Sequence, residues 1–455
     1  MGHFPWERPA GRIGVTPDDA LQSLEPAQSV PSLVRATYID RRGRELGYSS
    51  RFAREFLREN AVTTPKLICI DSLAELRSRA GAWDDLWWRS PVPAPSARAA
   101  LVEQWLAQFA PRAPLFALAV ELDGQLVAAL PLFGRRRCRL LKTASLPIND
   151  WSANGDLLVD PLADVDAVLG KLVDGIQRLP VGALCFEQFA TGQPHWLELR
   201  RRLEEAGYFC DVHKQYFTSQ TTIGDDWDAY LKPRTGGQMK TRLRHARKME
   251  REGGVELRTY TEFSPGEVER LMRLGFEIEA KSWKRANGTA VVQRPEIADF
   301  YIRNARQLAE WGQLALFVFE FDGTPIAFDY AWHAKGCHFC VKMGYDAEYR
   351  KFGPGQQMYL KILERLHGDP EFDLVDFWGR RMPWNETWAT HFYAVGRLVA
   401  ARRPHPLGCA FVAAYRYARP LVRRLRGADD VSRGNALPPG EPAKQESPAA
   451  QTAES

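Results

Sequence analysis

The sequence lacks the long apolar runs, the paired cysteines and the strong charge imbalance that would point directly to a class of protein. No apolar stretch approaches the roughly 18–20 residues of a membrane-spanning helix. The opening segment, MGHFPWERPAGRIG, lacks the apolar core of a secretion signal. A formal net charge of +5 is small for 455 residues. Charge alone therefore does not indicate nucleic acid or a membrane as the partner.

Cysteine is scarce and scattered, with 7 residues and no repeated spacing. This usage is typical of reduced thiols, and we expect a cytoplasmic protein. Cys337 and Cys340 form the only C-x-x-C, and they lie inside a strand pattern with no second pair. The sequence therefore gives no reason to expect a metal site.

The length exceeds that of one typical core and predicts more than one domain. Residues 1–64, rich in Pro, Arg and Ser, are interpreted as a loosely ordered extension, and residues 427–455 as a disordered tail. Between them, alternating strands and helices predict α/β domains at 65–222 and 223–400. Residues 401–426 read as a basic amphipathic segment, which would either pack on the domain or rest on anionic lipid as a peripheral contact.

The two predicted domains share an order of elements that ends in an Asp-Gly hairpin. The first reads LFALAVELDGQLVAALPL and the second LALFVFEFDGTPIAFDYA. Asp-Gly between apolar runs is a strong hairpin signal, and the common order indicates an internal duplication. Only the second half has a glycine turn between its next strand and helix. The first has Asp160-Pro161-Leu162 at the comparable place, so we expect its ligand site to be lost.

The stretch HFCVKMGYDAEYRKFGPGQQMYLKILE predicts a strand, a charged loop, a tight turn at residues 353–355 and a helix. This order directs backbone N–H groups and the positive end of the helix at one point, which suits a pyrophosphate. Arg350 and Lys351 could add charge-assisted contacts. The pattern is neither a P-loop nor a Rossmann fingerprint. An ordinary turn that needs glycine for its positive φ is the alternative.

These motifs together resemble the GNAT superfamily of acyltransferases. More narrowly, they resemble the bacterial CelD-like acetyltransferases of cellulose and exopolysaccharide biosynthesis. The resemblance covers about residues 66–400 and rests on the hairpin, GYD, AEYRKFGPGQQM, DFWG, KTRLRHARKMEREGGVEL, EAKSWKRANGTAV and PWNETW. It implies tandem GNAT-like α/β (α+β) domains, each a mixed, mostly antiparallel sheet flanked by helices. Pro354 departs from the family turn, since proline has no N–H for a phosphate. Asn385 stands where many relatives carry lysine.

The resemblance implies transfer of an acyl group, most simply acetyl, from acyl-CoA to an amine or hydroxyl, with no metal. The acceptor would be a sugar, glycan or related metabolite of the cell-envelope polysaccharide machinery. Two other interpretations stay open: a Fem-like transferase that uses aminoacyl-tRNA, and a non-catalytic binding module that regulates a polysaccharide synthase. Binding of tRNA would require a broader basic surface than the net charge suggests.

The resemblance also implies three groups of site residues. The acyl-CoA would be held by Lys342, Gly344, Arg350, Gly353, Gly355 and Gln356. The candidates for catalytic base or proton donor are Glu279, Asp329, Tyr345 and Tyr393. The acceptor would contact Lys281, Trp283, Trp378, Trp384 and Trp388. Each group has a structural alternative: a solvated helix end for Glu279, a Lys342 partner for Asp329, and core packing for the aromatic residues.

Overall fold

The computed structural model describes residues 64–137, 140–234 and 236–419. The predicted extension up to residue 63 and the tail from residue 427 therefore lie outside the described residues, as does the basic segment from residue 420 onward. The described part contains no helix with both the length and the apolarity needed to cross a bilayer.

The strands are, in chain order, β1 Lys66–Ile70, β2 Ala117–Leu122, β3 Gln125–Leu130, β4 Phe133–Arg137, β5 Leu141–Ser145, β6 Leu158–Val159, β7 Ala183–Ala190, β8 Tyr208–Thr222, β9 Val255–Tyr260, β10 Leu314–Phe321, β11 Thr324–Ala334, β12 Cys337–Tyr345, β13 Leu374–Asp376 and β14 His391–Arg402. The helices are α1 Leu73–Ser78, α2 Ala80–Arg89, α3 Ala99–Phe109, α4 Val165–Arg178, α5 Pro194–Glu205, α6 Trp227–Leu231, α7 Gly237–Glu252, α8 Glu267–Ala280, α9 Trp283–Ala286, α10 Pro295–Glu310, α11 Pro354–Leu366, α12 Pro383–Glu386 and α13 Pro406–Ala413. Short 3₁₀ turns include Ala347–Phe352, immediately before α11.

The described strands form two sheets, and these sheets and the helices between their strands make one α/β architecture. One sheet has the order β1-β2-β3-β6, and the other has the order β4-β5-β7-β14-β8-β13-β12-β11-β10-β9. Most neighbours are antiparallel, while β5 with β7 and β12 with β13 are parallel. The predicted mixed α/β class with mostly antiparallel sheets is confirmed.

The second sheet joins the two halves of the chain through β14. This strand lies between β7 and β8, and it pairs with β8 along its whole length, from His391 opposite Gln220 to Arg402 opposite Tyr208. The predicted boundary between residues 222 and 223 therefore falls at the end of a strand that the second half continues to use. The domain bounds themselves stay a prediction.

The two Asp-Gly hairpins have the same geometry in detail. Asp123 and Asp322 both have positive φ, at 51° and 48°, and the glycines that follow have φ of 78° and 73°. Each hairpin carries a bulge two residues before its turn aspartate, just after Val120 in one and Phe319 in the other. Because the bulge lies at the same position in both hairpins, their strands pair in the same register. The similarity that indicated a duplication in the sequence is therefore also found in the strand pairing.

The helices that position the candidate site pack on opposite faces of the second sheet. On one face, α8 approaches β11 so closely that a Cβ added at Gly275 would lie 2.2 Å from the ring of Phe328. On the other face, α11 buries Met358, Tyr359 and Ile362 against the sheet. Glycine in α8 therefore serves close packing, because any larger side chain would push the helix off the sheet.

The N-cap of α8 is Gly266, with φ of 79°, and Ser264 lies before the helix, where its backbone N–H donates to Glu267 at 3.1 Å. The described part of the basic segment forms α13, and its Val412 packs against Val399 of β14. This part of the segment therefore covers the sheet, which was one of the two alternatives.

Candidate active site

The two parallel strands β12 and β13 separate partway along their length. Cys337, His338 and Phe339 pair with Leu374–Asp376, and β13 then ends while β12 continues to Tyr345. β12 has a bulge between Cys340 and Lys342, which pair with Ala331 and Tyr330 of β11. This bulge lies at the point where β12 and β13 separate. Bulges bend a strand locally. The remaining edge of β12 therefore has no neighbouring strand on the β13 side within the described residues.

The start of α11 lies beside this open edge. Gly353 is the N-cap, with φ of 67° in the left-handed region that favours glycine, and no side chain caps the helix. A Cβ added at Gly355 would lie 2.9 Å from the Sδ of Met343 and 3.9 Å from the ring of Tyr345. Glycine at position 355 therefore brings the first turn of α11 directly against the end of β12.

The amides of this turn are only partly available to a ligand. The N–H of Gly353 donates to the Arg350 carbonyl oxygen at 3.0 Å, and that of Gln356 donates to the Gly353 carbonyl oxygen at 2.8 Å. This corrects the expectation that both would serve as phosphate donors, since each already has a partner. The Gly355 N–H has no acceptor among the described residues, and the exposed Arg350 forms no ion pair with them. The residues present thus fit a phosphate with one amide, one guanidinium and the positive helix end.

The site residues predicted on β12 lie on opposite faces of the sheet. Met343 and Tyr345 face α11, whereas Gly344 faces α8, where an added Cβ would be 2.7 Å from the Cβ of Glu279. Lys342 also faces α8, and its Nζ lies 2.8 Å from the carboxylate of Glu279. The Lys342 side chain and the Cβ position of Gly344 thus face α8, on the opposite side of the sheet from α11, since strand residues alternate between the two faces. Their role in holding the diphosphate stays a prediction.

Glu279 is the centre of a buried ion cluster, so the alternative of a solvated helix end is wrong, while its role as a base stays a prediction. Its side chain is 2% exposed and lies 2.7 Å from Lys284 and 2.8 Å from Lys342. It also accepts the N–H of Val291 at 3.1 Å. Burial raises its pKa, but the two lysines outweigh this and lower the pKa to about 2. A carboxylate held in that state is a poor proton acceptor at neutral pH.

Asp329 is fully buried in β11, on the face of the sheet that packs on α11. One of its carboxylate oxygens accepts the hydroxyl of Tyr359 at 2.9 Å, and the other has no partner among the described residues. Burial raises its pKa to about 7. Lys342, its predicted partner, lies opposite Tyr330 and on the other face, so that pairing is wrong. Asp329 anchors α11 to the sheet and is closed to solvent.

Asp376, the last residue of β13, lies where the strands separate and holds a network of hydrogen bonds. It accepts from the Tyr393 hydroxyl at 2.9 Å, from the Gln220 amide at 2.8 Å and from the Trp378 N–H at 2.7 Å. Burial raises the pKa of Asp376. Burial, together with the charge of Asp376, raises the pKa of Tyr393 well above its usual value, so the phenol keeps its proton. The pair can therefore hold and pass a proton at the point of separation.

The predicted acceptor residues do not form one surface. Trp388 is fully buried under Arg242 of α7 and cannot reach a ligand. Trp378 packs against Trp332 and Phe339, and Trp384 packs against aromatic residues of α11 and the loop after β13. Both remain half-buried.

Of the two other predicted acceptor residues, Lys281 lies just before α9 and Trp283 is its first residue. Lys281 forms an ion pair with Asp346 at 3.0 Å. The side chain of Trp283 lies outside the described part.

Sequence reasoning missed Asp376 and Gln220 as partners of Tyr393. The motif DFWG was noted for its resemblance, and an aspartate that ends an apolar strand was the signal available within it. Gln220 could not have been found, because β8 reaches the site only through its pairing with β13 and β14. No group of three or more His, Cys, Asp and Glu side chains in the described ranges is arranged to hold a metal ion.

Comparison of the sequence with known families gives a match to part of the second half. Residues 237–386 match the family described as the acetyltransferase (GNAT) domain. The matched range runs from α7 to α12 and contains β12, α11 and β13. The second half of the chain thus contains a GNAT-type acetyltransferase domain, and the chain is an acyltransferase. No curated protein matches the sequence.

Solved structures similar to the chain extend over both halves. FemX has 12% identity and a TM-score of 0.49, covering 73% of this chain and 96% of its own. The C-terminal domain of a protein described as a lysylphosphatidylglycerol synthetase, from Agrobacterium fabrum, has 14% identity and a TM-score of 0.46, with coverage of 76% and 96%. A tandem GNAT protein from the clavulanic acid biosynthesis pathway has 16% identity and a TM-score of 0.39, with coverage of 74% and 99%.

Proposed function

We propose that this chain transfers an acyl group, most simply acetyl, from acyl-CoA to an amine or hydroxyl of a sugar-like acceptor. One observation carries the proposal: β12 and β13 separate beside a helix whose first turn has an unbonded Gly355 amide and no capping side chain. A gap between strands admits an extended chain, and the helix start attracts its phosphates.

On this proposal, the phosphates of the donor meet Gly355 and Arg350. The exposed Arg244 and Arg247 of α7, a helix that packs against α11 through Gln357, could add further positive charge. Arg242 of the same helix is buried, and burial lowers its pKa to about 10, so it is not part of this surface.

The chemistry needs a group that takes a proton from the attacking nucleophile and one that protonates the leaving thiolate. We assign the first role to Asp376, whose raised pKa suits a proton acceptor. The second role falls to Tyr393, which remains protonated and hydrogen-bonded to Asp376. As the nucleophile bonds to the acyl carbon and the carbon–sulfur bond breaks, Tyr393 gives its proton to sulfur. Asp376 then returns the nucleophile's proton to Tyr393.

The finer assignment to polysaccharide assembly rests on the CelD-like sequence resemblance alone. Residues of that resemblance, from GYD to DFWG, form the end of β12, α11 and the end of β13. The reaction would take place in the cytoplasm, which accords with the free thiols of the described cysteines.

The proposal is tested first by the binding of acetyl-CoA and then by the transfer of its acetyl group to an acceptor. Titration with acetyl-CoA should raise the melting temperature of the protein, and a thiol-release assay over a panel of amino sugars should identify the acceptor class. Tyr393→Phe should keep acetyl-CoA binding and lower kcat by about 100-fold or more, because it removes a positioned proton donor.

Three results would point elsewhere. Binding of charged tRNA without any response to acyl-CoA would favour an aminoacyl transferase. Binding of a glycan or a synthase without thiol release would favour a non-catalytic module. An unchanged kcat in Tyr393→Phe would remove Tyr393 from the mechanism and leave the acyl-CoA site to be judged by binding alone.

A further inference from the structure

A polar cavity of about 370 Å³ lies beside the Asp376–Tyr393 pair. Its walls come from β4, β7, β8, β14, the loop after β5 and the loop after β13, so both halves of the chain contribute. Tyr216 in its wall lies on the same face of β8 as Thr218, which pairs with Tyr393. No residue from the start of α11 lines it. The cavity is thus next to the proposed acyl-transfer site and separate from the region proposed for the phosphates.

Arginine dominates the lining of the cavity. The charged residues that line it are Arg135, Arg137, Arg380, Arg397, Glu187 and Asp150. Four guanidinium groups therefore face two carboxylates, which leaves positive charge in excess. A recess lined in this way attracts anions, since low-dielectric walls strengthen the local field.

The arginines divide into a fixed pair and a free pair. Glu187 lies 3.5 Å from Arg137 and 2.7 Å from Arg397, so it holds both in place. The ion pairs found among the described residues include neither Arg135 nor Arg380. Arg380 instead lies over the ring of Tyr216, with 5.2 Å between its Cζ and the ring centroid. Two guanidinium groups at the cavity are thus available to a ligand.

Backbone irregularities and unpaired donors coincide at this cavity. Gln188 has φ of 53°, a left-handed value that costs energy for a residue other than glycine. The register of β7 and β14 shifts opposite Arg397, between Gly396 and Leu398. The Nε atoms of Arg137 and Arg397 are buried with no acceptor among the described residues. Bulges and unsatisfied buried donors are uncommon and often mark ligand sites.

We propose that this cavity binds the carboxylate or phosphate of an anionic, hydroxyl-rich small molecule, and that this molecule is the acyl acceptor. Planar guanidinium groups match both oxyanions, and the polar lining suits a sugar better than an apolar chain. An acceptor held there by its anionic group has its remaining atoms directed toward Tyr393 and Asp376. The proposal of anion binding depends only on the cavity described here. The proposal that this anion is the acyl acceptor rests on the proposed acyl transfer.

The first test measures binding without any acyl donor. Glucuronate, glucose 6-phosphate and glucose are titrated by calorimetry against the full chain at about 150 mM salt, which screens non-specific surface binding. We expect the carboxylate or the phosphate sugar, or both, to bind and glucose not to bind. A preference between the two anionic sugars identifies which oxyanion the cavity takes.

Variants locate the binding. Arg135→Ala and Arg380→Ala should each weaken the binding of the anionic sugar by about 10-fold or more, as expected for a lost charge-assisted contact. Neither arginine has an ion pair to lose, so both variants should fold. Arg136→Ala is the matched control, because Arg136 is the next residue of β4, is also exposed and lies outside the cavity. Its affinity should equal that of the wild type.

The proposal is overturned if neither anionic sugar binds, or if Arg135→Ala and Arg136→Ala have equal effects. Titration of the same samples with acetyl-CoA separates this failure from failure of the proposed function. Acetyl-CoA binding without anion binding removes the cavity proposal alone. Anion binding without acetyl-CoA binding removes the acyl transfer and leaves the cavity as an anion site. If both bind, the acidic amino sugars should show a KM at least about 10-fold below that of neutral ones, and Arg380→Ala should abolish this difference.

Discussion

The two halves of the chain each place a helix after an Asp-Gly hairpin and between the two strands of a parallel pair, yet the two helices begin differently. In the first half, α4 has Asp164 as its N-cap, and the carboxylate accepts the N–H groups of Asp166 and Ala167. In the second half, α11 begins at Gly353 with no side-chain cap. A carboxylate at the first helix start both occupies the donors and repels an anion.

This difference shows how one fold gives a structural helix in one place and a candidate phosphate site in another. A capped helix is stabilised locally, by about 1 kcal/mol for an N-cap side chain. An uncapped helix forgoes that stabilisation, and its unbonded donors remain for a ligand. The hairpins also differ at an equivalent position, seven residues after the turn aspartate. The buried residue there is the apolar Leu130 in the first half and the ionisable Asp329 in the second.

The largest expected effect comes from the buried ion cluster that is found in the second half. Glu279→Gln should lower the free energy of unfolding by about 3–5 kcal/mol, because it leaves two lysines without their common partner. Glu121→Gln is the control in the first half, where the one ion pair of Glu121 among the described residues is with the exposed Lys66 at 3.8 Å, and the substitution should lower the free energy of unfolding by less than about 1 kcal/mol. Urea unfolding measures both. Equal effects would show that Glu279 is not held as a structural ion.

The next effect concerns the two helix starts. Gly355→Glu should weaken the binding of acetyl-CoA by about 100-fold or more, because its side chain displaces Met343 from the first turn of α11 and brings a carboxylate to the helix start where the phosphates are expected to bind. Leu162→Glu puts the same charge just before α4, at a side chain that is 87% exposed, and should leave acetyl-CoA binding unchanged. Calorimetric titration and a thermal melt of each variant distinguish lost binding from lost folding. Wild-type affinity in Gly355→Glu would exclude this helix start as the phosphate site.

A third effect depends on pH and concerns Asp329. Its pKa is about 7 in the folded protein, above the ordinary value of 3.8, so the folded state holds the proton more tightly than the unfolded state. The wild type therefore loses stability as pH rises from about 4 to about 7, and loses no more above that range.

Asp329→Asn does not titrate, so its stability relative to the wild type should increase across that window by on the order of 4 kcal/mol. Urea unfolding at a series of pH values measures this difference. Asp174→Asn, on the exposed side of α4, is the control and should show no such trend. A flat difference for Asp329→Asn would mean that its carboxylate stays ionised in the fold.

The smallest expected effect compares two neighbouring cations before α11. Arg350→Ala should raise the dissociation constant for acetyl-CoA by about 10-fold, since the side chain has no other ion-pair partner in the described residues. Lys351→Ala should change it less, because Lys351 already lies 3.4 Å from Glu252. Titration at two salt concentrations measures both constants. The opposite order of effects would assign the phosphate contact to Lys351.

Sequence patterns predicted the parts of the fold that local chemistry determines. The Asp-Gly turns, the strand at Val255–Tyr260 and the helix that begins near Gly353 are set by positive φ, apolar alternation and apolar periodicity. β8 and β14 were missed because their bounds depend on each other as distant partners, which no local window contains. The same reason explains Asp376, whose role appears only when Gln220 and Tyr393 reach it from those two strands.

The position of β14 between β7 and β8 also governs how this protein can be made. During synthesis, residues 183–222 leave the ribosome long before residues 391–402, so two strands wait with unpaired backbone edges for a third. Such edges are prone to pair with other chains until they are closed. A nascent chain arrested before residue 391 therefore lacks the strand that pairs with both β7 and β8, and the facing edges of these two strands stay unpaired. Chaperone demand during translation should consequently be greatest between these two points.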